Sequence, residues 1–143
     1  MEHVIKTVLV AHSALRMFEL VDAVEKYPEF LPWCGGGECN FRDANITRAT
    51  LHINYRGIRQ SFSTENLKTP PALMQIRLIE GPFKTFEGSW RFTDLADKGC
   101  KVELSLHYEF SNRLLEKLIG PVFGYIANSM VDAFVKRANS IYV

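Results

Sequence analysis

The sequence has few cysteines, and their number and spacing exclude two classes of small protein. It contains Cys34, Cys39 and Cys100, an odd number that intramolecular disulfides cannot use up. Cys34 and Cys39 are separated by four residues, and no second Cys or His pair follows at zinc-finger spacing. We therefore predict free thiols in a reducing compartment and no metal site.

An excess of charge of one sign is also absent. The 17 Lys and Arg residues nearly balance the 16 Asp and Glu residues, so the formal net charge is +1. A chain with this balance is not suited to coating DNA by phosphate neutralisation, but the balance does not exclude a local basic face.

The 143 residues also lack a signal peptide, an apolar run of membrane-spanning length, an internal repeat and a low-complexity linker. Hydrophobic residues make up 47% of the chain and charged residues 23%, which is ordinary for a soluble domain that builds its own core. We predict one domain, residues 1–143, in the cytoplasm.

The chain begins with a pattern typical of a strand followed by a helix. Residues 3–10 are rich in β-branched side chains. Residues 13–27 have apolar side chains at helical spacing, with Ser13 as a candidate N-cap and Leu15 on the buried stripe. Two prolines end this helix, and residues 27–34, "YPEFLPWC", form a short helical or irregular segment.

Residues 35–111 are strand-like almost throughout, and turn residues divide them into six segments. The breaks fall at residues 43–45, 56–57, 69–71, 81–82 and 97–99. The last segment, residues 100–110, alternates strictly, with its even-numbered positions apolar. Short turns between consecutive strands predict an antiparallel meander with one face on a core.

Residues 112–141 predict a long closing helix. Its apolar positions recur at helical spacing at Leu115, Leu118, Ile119, Val122, Ile126, Met130 and Phe134. Pro121 lies inside it, with Gly120 and Gly124 nearby, which predicts a bend. The whole pattern predicts an α+β fold, in which a curved antiparallel sheet of about seven strands wraps around this helix. Such a sheet encloses either a filled core or a ligand cavity of roughly 300 to 1,000 Å³.

The stretch "IEGPFKTFEGSWRF", residues 79–92, places a glycine among large side chains. Gly88 has the same parity as Phe86, Trp90 and Phe92, and so lies on the buried side of the predicted strand. An inward glycine marks either a bend or close approach in a curved sheet, or space for a ligand.

Three segments together resemble a known family. "YPEFLPWC", "EGPFKTFEGSWRF" and "MVDAFVKRA" near the end are similar to the Coq10/RatA family of START-like domains, and the resemblance covers nearly the whole chain. It implies a helix-grip (START/Bet v 1-like) fold, in the superfamily of polyketide cyclase-like and lipid-transfer domains. The chain lacks the targeting segment of the mitochondrial members, which favours a bacterial member.

The resemblance implies that the protein is not an enzyme and requires no cofactor. It implies a carrier of ubiquinone or a related isoprenoid lipid that supports respiration. The residues "FLPW", 30–33, indicate either a lip that makes transient contact with the surface of the inner membrane or a buried loop. The alternative that the resemblance implies is a toxin that binds the large ribosomal subunit and blocks subunit association. A cyclase or dehydratase ranks third, because no catalytic Ser-His-Asp or Cys-His set can be placed in the sequence.

For the carrier, the candidate ligand contacts are inward-facing aromatic and aliphatic side chains, and we identify no catalytic or metal-binding residue. Four of them, Tyr27, Tyr55, Trp90 and Tyr108, have a polar tip that can donate a hydrogen bond to a quinone carbonyl. The apolar wall comprises Phe30, Leu31, Trp33, Phe62, Ile76, Leu78, Phe86, Phe92, Leu106, Val122, Phe123, Ile126 and Met130.

Overall fold

The structure is a computed structural model that describes residues 1–142, in which a curved sheet holds a long helix. In chain order the elements are β1 (Glu2–Val10), α1 (Ala14–Asp22), a 3₁₀ helix (Val24–Glu29), β2 (Cys34–Arg42), β3 (Ile46–Tyr55), β4 (Ile58–Thr69), β5 (Leu73–Glu80), β6 (Phe83–Asp94), β7 (Cys100–Phe110) and α2 (Arg113–Ile141). The sheet has the order β1-β7-β6-β5-β4-β3-β2. The predicted α+β class, the meander and its five turns are confirmed.

Alternation along β7 sets which face of the sheet is buried. Every even-numbered residue from Cys100 to Phe110 is buried, and every odd-numbered one is partly exposed. β1 pairs with β7 from Glu2 opposite Tyr108 to Val10 opposite Cys100, so the first strand closes one edge of the meander. The buried side of the sheet faces α2.

The first helix is shorter than the sequence predicts. Ser13 caps it as expected, since its hydroxyl accepts a hydrogen bond from the Arg16 amide at 3.2 Å. Leu15 is 50% exposed, so its predicted burial is wrong. The buried face instead follows the spacing i, i+3, i+4 and i+7, and it comprises Ala14, Met17, Phe18 and Val21, together with Leu20.

The 3₁₀ helix replaces the predicted last turn of α1. Its tighter winding places residues three apart on the same side, and Val24 and Tyr27 are both buried. Pro28 lies inside this short helix. The motif "YPEFLPWC" is therefore helical at its start and irregular at its end.

The closing helix α2 begins where predicted, with the Asn112 side chain accepting a hydrogen bond from the Leu115 amide at 2.9 Å. It continues through Pro121 to Ile141. Leu118 is 55% exposed, so its predicted place in the core is wrong. The next residue, Ile119, begins the buried stripe, and neighbouring helical residues point about 100° apart.

Composition alone would allow α2 to span a membrane, contrary to our sequence-based expectation. An 18-residue window of this helix reaches a mean hydropathy of 1.4, and 33% of that window is buried inside the domain. Its buried stripe packs against the sheet as the core helix of the domain, and comprises Ile119, Phe123, Ile126, Ala127, Val131, Phe134 and Ala138.

A charged cluster fastens the end of α1 to the sheet. Asp22 Oδ2 lies 3.1 Å from the Lys68 ammonium on β4, whose side chain is 5% exposed. Thr47 on β3 donates a hydrogen bond to Asp22 Oδ1 at 2.7 Å, and Arg42 Nε lies 3.5 Å from Oδ2. The cluster holds Val21 and the 3₁₀ helix over the concave side of the sheet.

Candidate functional site

A cavity of about 50 Å³ lies between the concave face of the sheet, the end of α1 and the middle of α2. Its walls are almost entirely apolar. Nine of the predicted ligand contacts line it: Tyr27, Phe62, Ile76, Phe86, Trp90, Leu106, Phe123, Ile126 and Met130. The structure thus brings together predicted residues from the 3₁₀ helix, four strands and α2.

Three predicted contacts from "YPEFLPWC" lie elsewhere. Phe30, Leu31 and Trp33 border an outer groove along the second half of α2. Phe30 packs on Phe134 with ring centroids 5.2 Å apart, and the Arg137 guanidinium lies 5.1 Å from its ring centroid. Trp33 is buried, so this motif anchors the 3₁₀ helix to α2 outside the cavity.

The other five predicted contacts also lie off the cavity wall. Tyr55 stacks on Tyr125 of α2 at 5.3 Å. Tyr108 borders a polar groove beside β1, and its burial, with a smaller contribution from Glu2, raises its pKa above the ordinary value. Phe92 packs edge-on against Phe18. Leu78 and Val122 are half-buried at the edge of the core.

Nine residues of the cavity wall were not predicted from the sequence. Seven are apolar: Val21, Val24, Ala49, Leu51, Met74, Leu104 and Ala127. The other two are polar, Thr64 and Asn66 on β4, and they are only 6% and 5% exposed. The alternation of Phe62, Thr64 and Asn66 on one face of a strand was the signal that could have identified them.

Tyr27 is the one ionisable residue on the cavity wall within residues 1–142. Its hydroxyl donates a hydrogen bond to the Val21 carbonyl oxygen, so this donor is already used. Burial, and then the negative charge of Asp22, raise the Tyr27 pKa far above its ordinary value. Tyr27 therefore stays protonated at every physiological pH and holds the 3₁₀ helix against α1.

Gly88 lies where two strands approach each other closely. Of the two interpretations of its inward position, close approach in a curved sheet and space for a ligand, the structure supports the first. A Cβ at Gly88 would lie 2.4 Å from the Ser105 carbonyl oxygen and 2.6 Å from Leu106 Cδ2. The place of the missing side chain is thus filled by β7. The glycine permits the sheet to curve and leaves no space for a ligand there.

The thiols and acidic groups form no additional site in the described part of the chain. No cluster of three or more His, Cys, Asp or Glu side chains there could hold a metal ion. All three cysteines are free. Burial raises the pKa of Cys34, and it raises the pKa of Cys100 to about 11, so both thiols are poor nucleophiles at neutral pH.

The seven-stranded sheet, the gripped helix and the cavity between them define a START-like (Bet v 1-like) domain. A family model described as "Polyketide cyclase / dehydrase and lipid transport" matches residues 10–135. The chain belongs to this family.

Relatives of known name include bacterial toxins and a coenzyme Q-binding protein. The chain is 40% identical to the ribosome association toxin RatA of Vibrio cholerae, over 99% of both chains. It is 29% identical to the mitochondrial coenzyme Q-binding protein COQ10 homolog B of Xenopus laevis, over 91% of this chain and 55% of that protein. The resemblance to the Coq10/RatA family is confirmed.

Solved structures with low sequence identity share the fold. The Zhui aromatase/cyclase of a Streptomyces species superposes with a TM-score of 0.79 at 18% identity, over 96% of this chain and 93% of that one. A START superfamily protein of Mycobacterium smegmatis superposes with a TM-score of 0.71 at 21% identity, over 97% and 98%. These matches establish the architecture, which hosts both enzymes and other proteins of the superfamily.

Proposed function

We propose that this protein is a carrier that binds an isoprenoid quinone, such as ubiquinone, or a similar lipid between the sheet and α2. The observation that carries the proposal is the apolar cavity, whose wall includes no Asp, Glu, His, Lys, Arg or Cys among the described residues. The lipid-transport description of the family and the coenzyme Q-binding relative support it.

The cavity must enlarge to hold such a ligand. Its volume of about 50 Å³ accommodates a few water molecules, whereas pockets for small molecules typically have roughly 300 to 1,000 Å³. Met74 and Met130 on the wall have flexible side chains that can move aside. Gly124 of α2 borders the polar groove beside β1, and no atom outside its own stretch of helix lies within 4 Å of the place of a Cβ, so α2 has room to shift there.

Burial of the isoprenoid chain provides the driving force for binding, at about 0.8 kcal/mol for each CH₂ group removed from water. No acid or base on the wall is available for proton transfer, since Tyr27 donates to a backbone carbonyl. We therefore place a carrier role before a cyclase or dehydratase role. The carrier would be cytoplasmic and would meet the inner membrane when the ligand is transferred.

The carrier role predicts that the protein copurifies with its ligand. We expect native mass spectrometry and organic extraction, after purification from a quinone-producing bacterium, to detect a quinone or lipid at near-equal stoichiometry. The variant Ala127→Leu adds bulk to the cavity wall and should abolish copurification. Ala133→Leu, on the outer groove of the same helix, is the matched control and should retain the ligand. An empty wild-type protein that also fails to bind added ubiquinone would exclude the proposal.

A second candidate function is association with the large ribosomal subunit. It is favoured by the named RatA relatives, and two exposed guanidinium groups on the outer face of the sheet are candidate contacts. Arg48 Nε lies 2.8 Å from Glu65 Oε2, and Arg77 contacts the same carboxylate. Glu87 lies opposite Arg77 on the next strand, so charges alternate along this row, but the Arg48 and Arg77 side chains are 48% and 62% exposed and can each meet RNA phosphate.

The ribosome hypothesis predicts salt-sensitive cosedimentation with purified large subunits. We expect binding at low salt that weakens several-fold when Arg48 and Arg77 are both replaced by Ala, with a shallower dependence on salt. Lys98→Ala, in the turn between β6 and β7, removes one charge elsewhere and should have a smaller effect. Absence of the protein from the ribosomal pellet at low salt would exclude this function.

A further inference from the structure

Asn66 presents an unused hydrogen-bond donor to the cavity. Its side chain lies on the concave face of β4 and is 5% exposed. The Thr64 hydroxyl donates to Asn66 Oδ1 at 3.0 Å, and this bond fixes the orientation of the amide. The NH₂ group on the other side of the amide has no hydrogen-bond partner within residues 1–142.

The free NH₂ group must face open space. In the described chain, no fully enclosed side-chain nitrogen or oxygen lacks a hydrogen-bond partner. The Asn66 nitrogen lacks one, so it is not fully enclosed, and the cavity is the space that Asn66 borders. A buried donor without a partner is costly, and a ligand that accepts a hydrogen bond there removes the cost.

Trp90 supplies a second donor on the same wall. It is 3% exposed and borders the cavity. Its indole N–H has no hydrogen-bond partner in the part of the chain that the structure describes, so this nitrogen is not fully enclosed either. β5 lies between β4 and β6, so the two donors approach from strands about 10 Å apart. The rest of the wall is apolar except for Thr64 and Tyr27, whose hydroxyl hydrogens are used.

We infer that Asn66 and Trp90 bind carbonyl oxygens of the ligand, which is therefore an apolar molecule with at least one ketone or quinone carbonyl. This inference rests on the proposed carrier function. A neutral acceptor matches neutral N–H donors. A carboxylate or phosphate head group does not fit, because the wall provides no cation to compensate its buried charge.

The inference is tested with two probes of nearly equal apolar area, a benzoquinone that carries a hexyl chain and hexylbenzene. Titration calorimetry should show that the wild-type protein binds the quinone more tightly by about 5- to 10-fold for each of the two donors, the usual contribution of one net hydrogen bond. Asn66→Ala should lower this preference by about 5- to 10-fold and leave the binding of hexylbenzene unchanged or tighter, because the substitution adds space. Asn54→Ala, an exposed Asn on β3, should retain the preference.

The outcomes separate this inference from the carrier function. If the wild-type protein binds both probes equally and Asn66→Ala changes neither affinity, the carrier function stands and the assignment of the donors is overturned. If the wild-type protein binds neither probe, both fail. Should Asn66→Ala not fold, Asn66→Leu, which is close to Asn in shape, allows the same comparison without the added space.

Discussion

Replacing Phe123 by Ala should lower the free energy of unfolding by about 3 to 5 kcal/mol, the usual cost of removing a fully buried aromatic side chain. Phe123 is 2% exposed and lies at the centre of the contact between α2 and the sheet. Its ring centroid is 4.8 Å from that of Tyr108 and 5.0 Å from that of Phe83. The neighbouring rings would lose their contacts with Phe123 and form no new ones, because the sheet cannot collapse into the vacated volume.

Tyr125 provides the matched control for Phe123, since it is an aromatic residue on the opposite side of the same helix. It is 45% exposed and stacks on Tyr55, so Tyr125→Ala should cost about 1 kcal/mol. Urea denaturation of both variants measures the difference. A cost for Phe123→Ala close to that of Tyr125→Ala would mean that α2 is loosely packed in solution and that the cavity is already open there.

The strands could be predicted because the sheet has one buried face and short turns. Alternation in residues 100–110 identifies the buried positions of β7, and each predicted break contains residues that favour turns. The register was not predicted, and it is irregular at several places, including between Ser63 and Thr64 in β4, because bulges leave no clear signal in the pattern of apolar residues.

The helices were predicted less well, because a buried stripe depends on what covers it. Leu15 and Leu118 have the hydrophobicity of core residues, yet they lie beside the buried stripes and are exposed. The 3₁₀ helix at Val24–Glu29 depends on tertiary contacts, including the bond from Tyr27 to the Val21 carbonyl. Local helical spacing could not distinguish it from another turn of α1.

The wall of the cavity could be predicted only in part, for two physical reasons. Parity indicates which face of a strand is buried, but not which part of that face α2 covers, so Tyr108 and Phe92 were included although they lie off the cavity. Asn66 was not predicted because it is polar, and polar residues are mostly exposed, although this one is buried on β4. The cavity volume depends on side-chain packing in three dimensions, which periodicity does not report.

Removal of the Asp22 carboxylate should also destabilise the fold by about 3 to 5 kcal/mol, since it leaves a buried cation uncompensated. The Lys68 side chain is 5% exposed, and its ammonium lies 3.1 Å from Asp22 Oδ2. Thr47, which is fully buried, would also lose its acceptor. We expect Asp22→Ala to lower the midpoint of urea denaturation and to loosen the 3₁₀ helix that closes the cavity.

A second substitution distinguishes a buried-charge effect from a general loss of packing. In the double variant Asp22→Ala, Lys68→Met the unpaired ammonium is gone, so the double variant should be more stable than Asp22→Ala alone. Glu29→Ala, which breaks an exposed pair with Arg137, should cost less than about 1 kcal/mol. If the double variant is instead as unstable as the sum of its single variants, Asp22 acts through Thr47 and Arg42 rather than through the charge of Lys68.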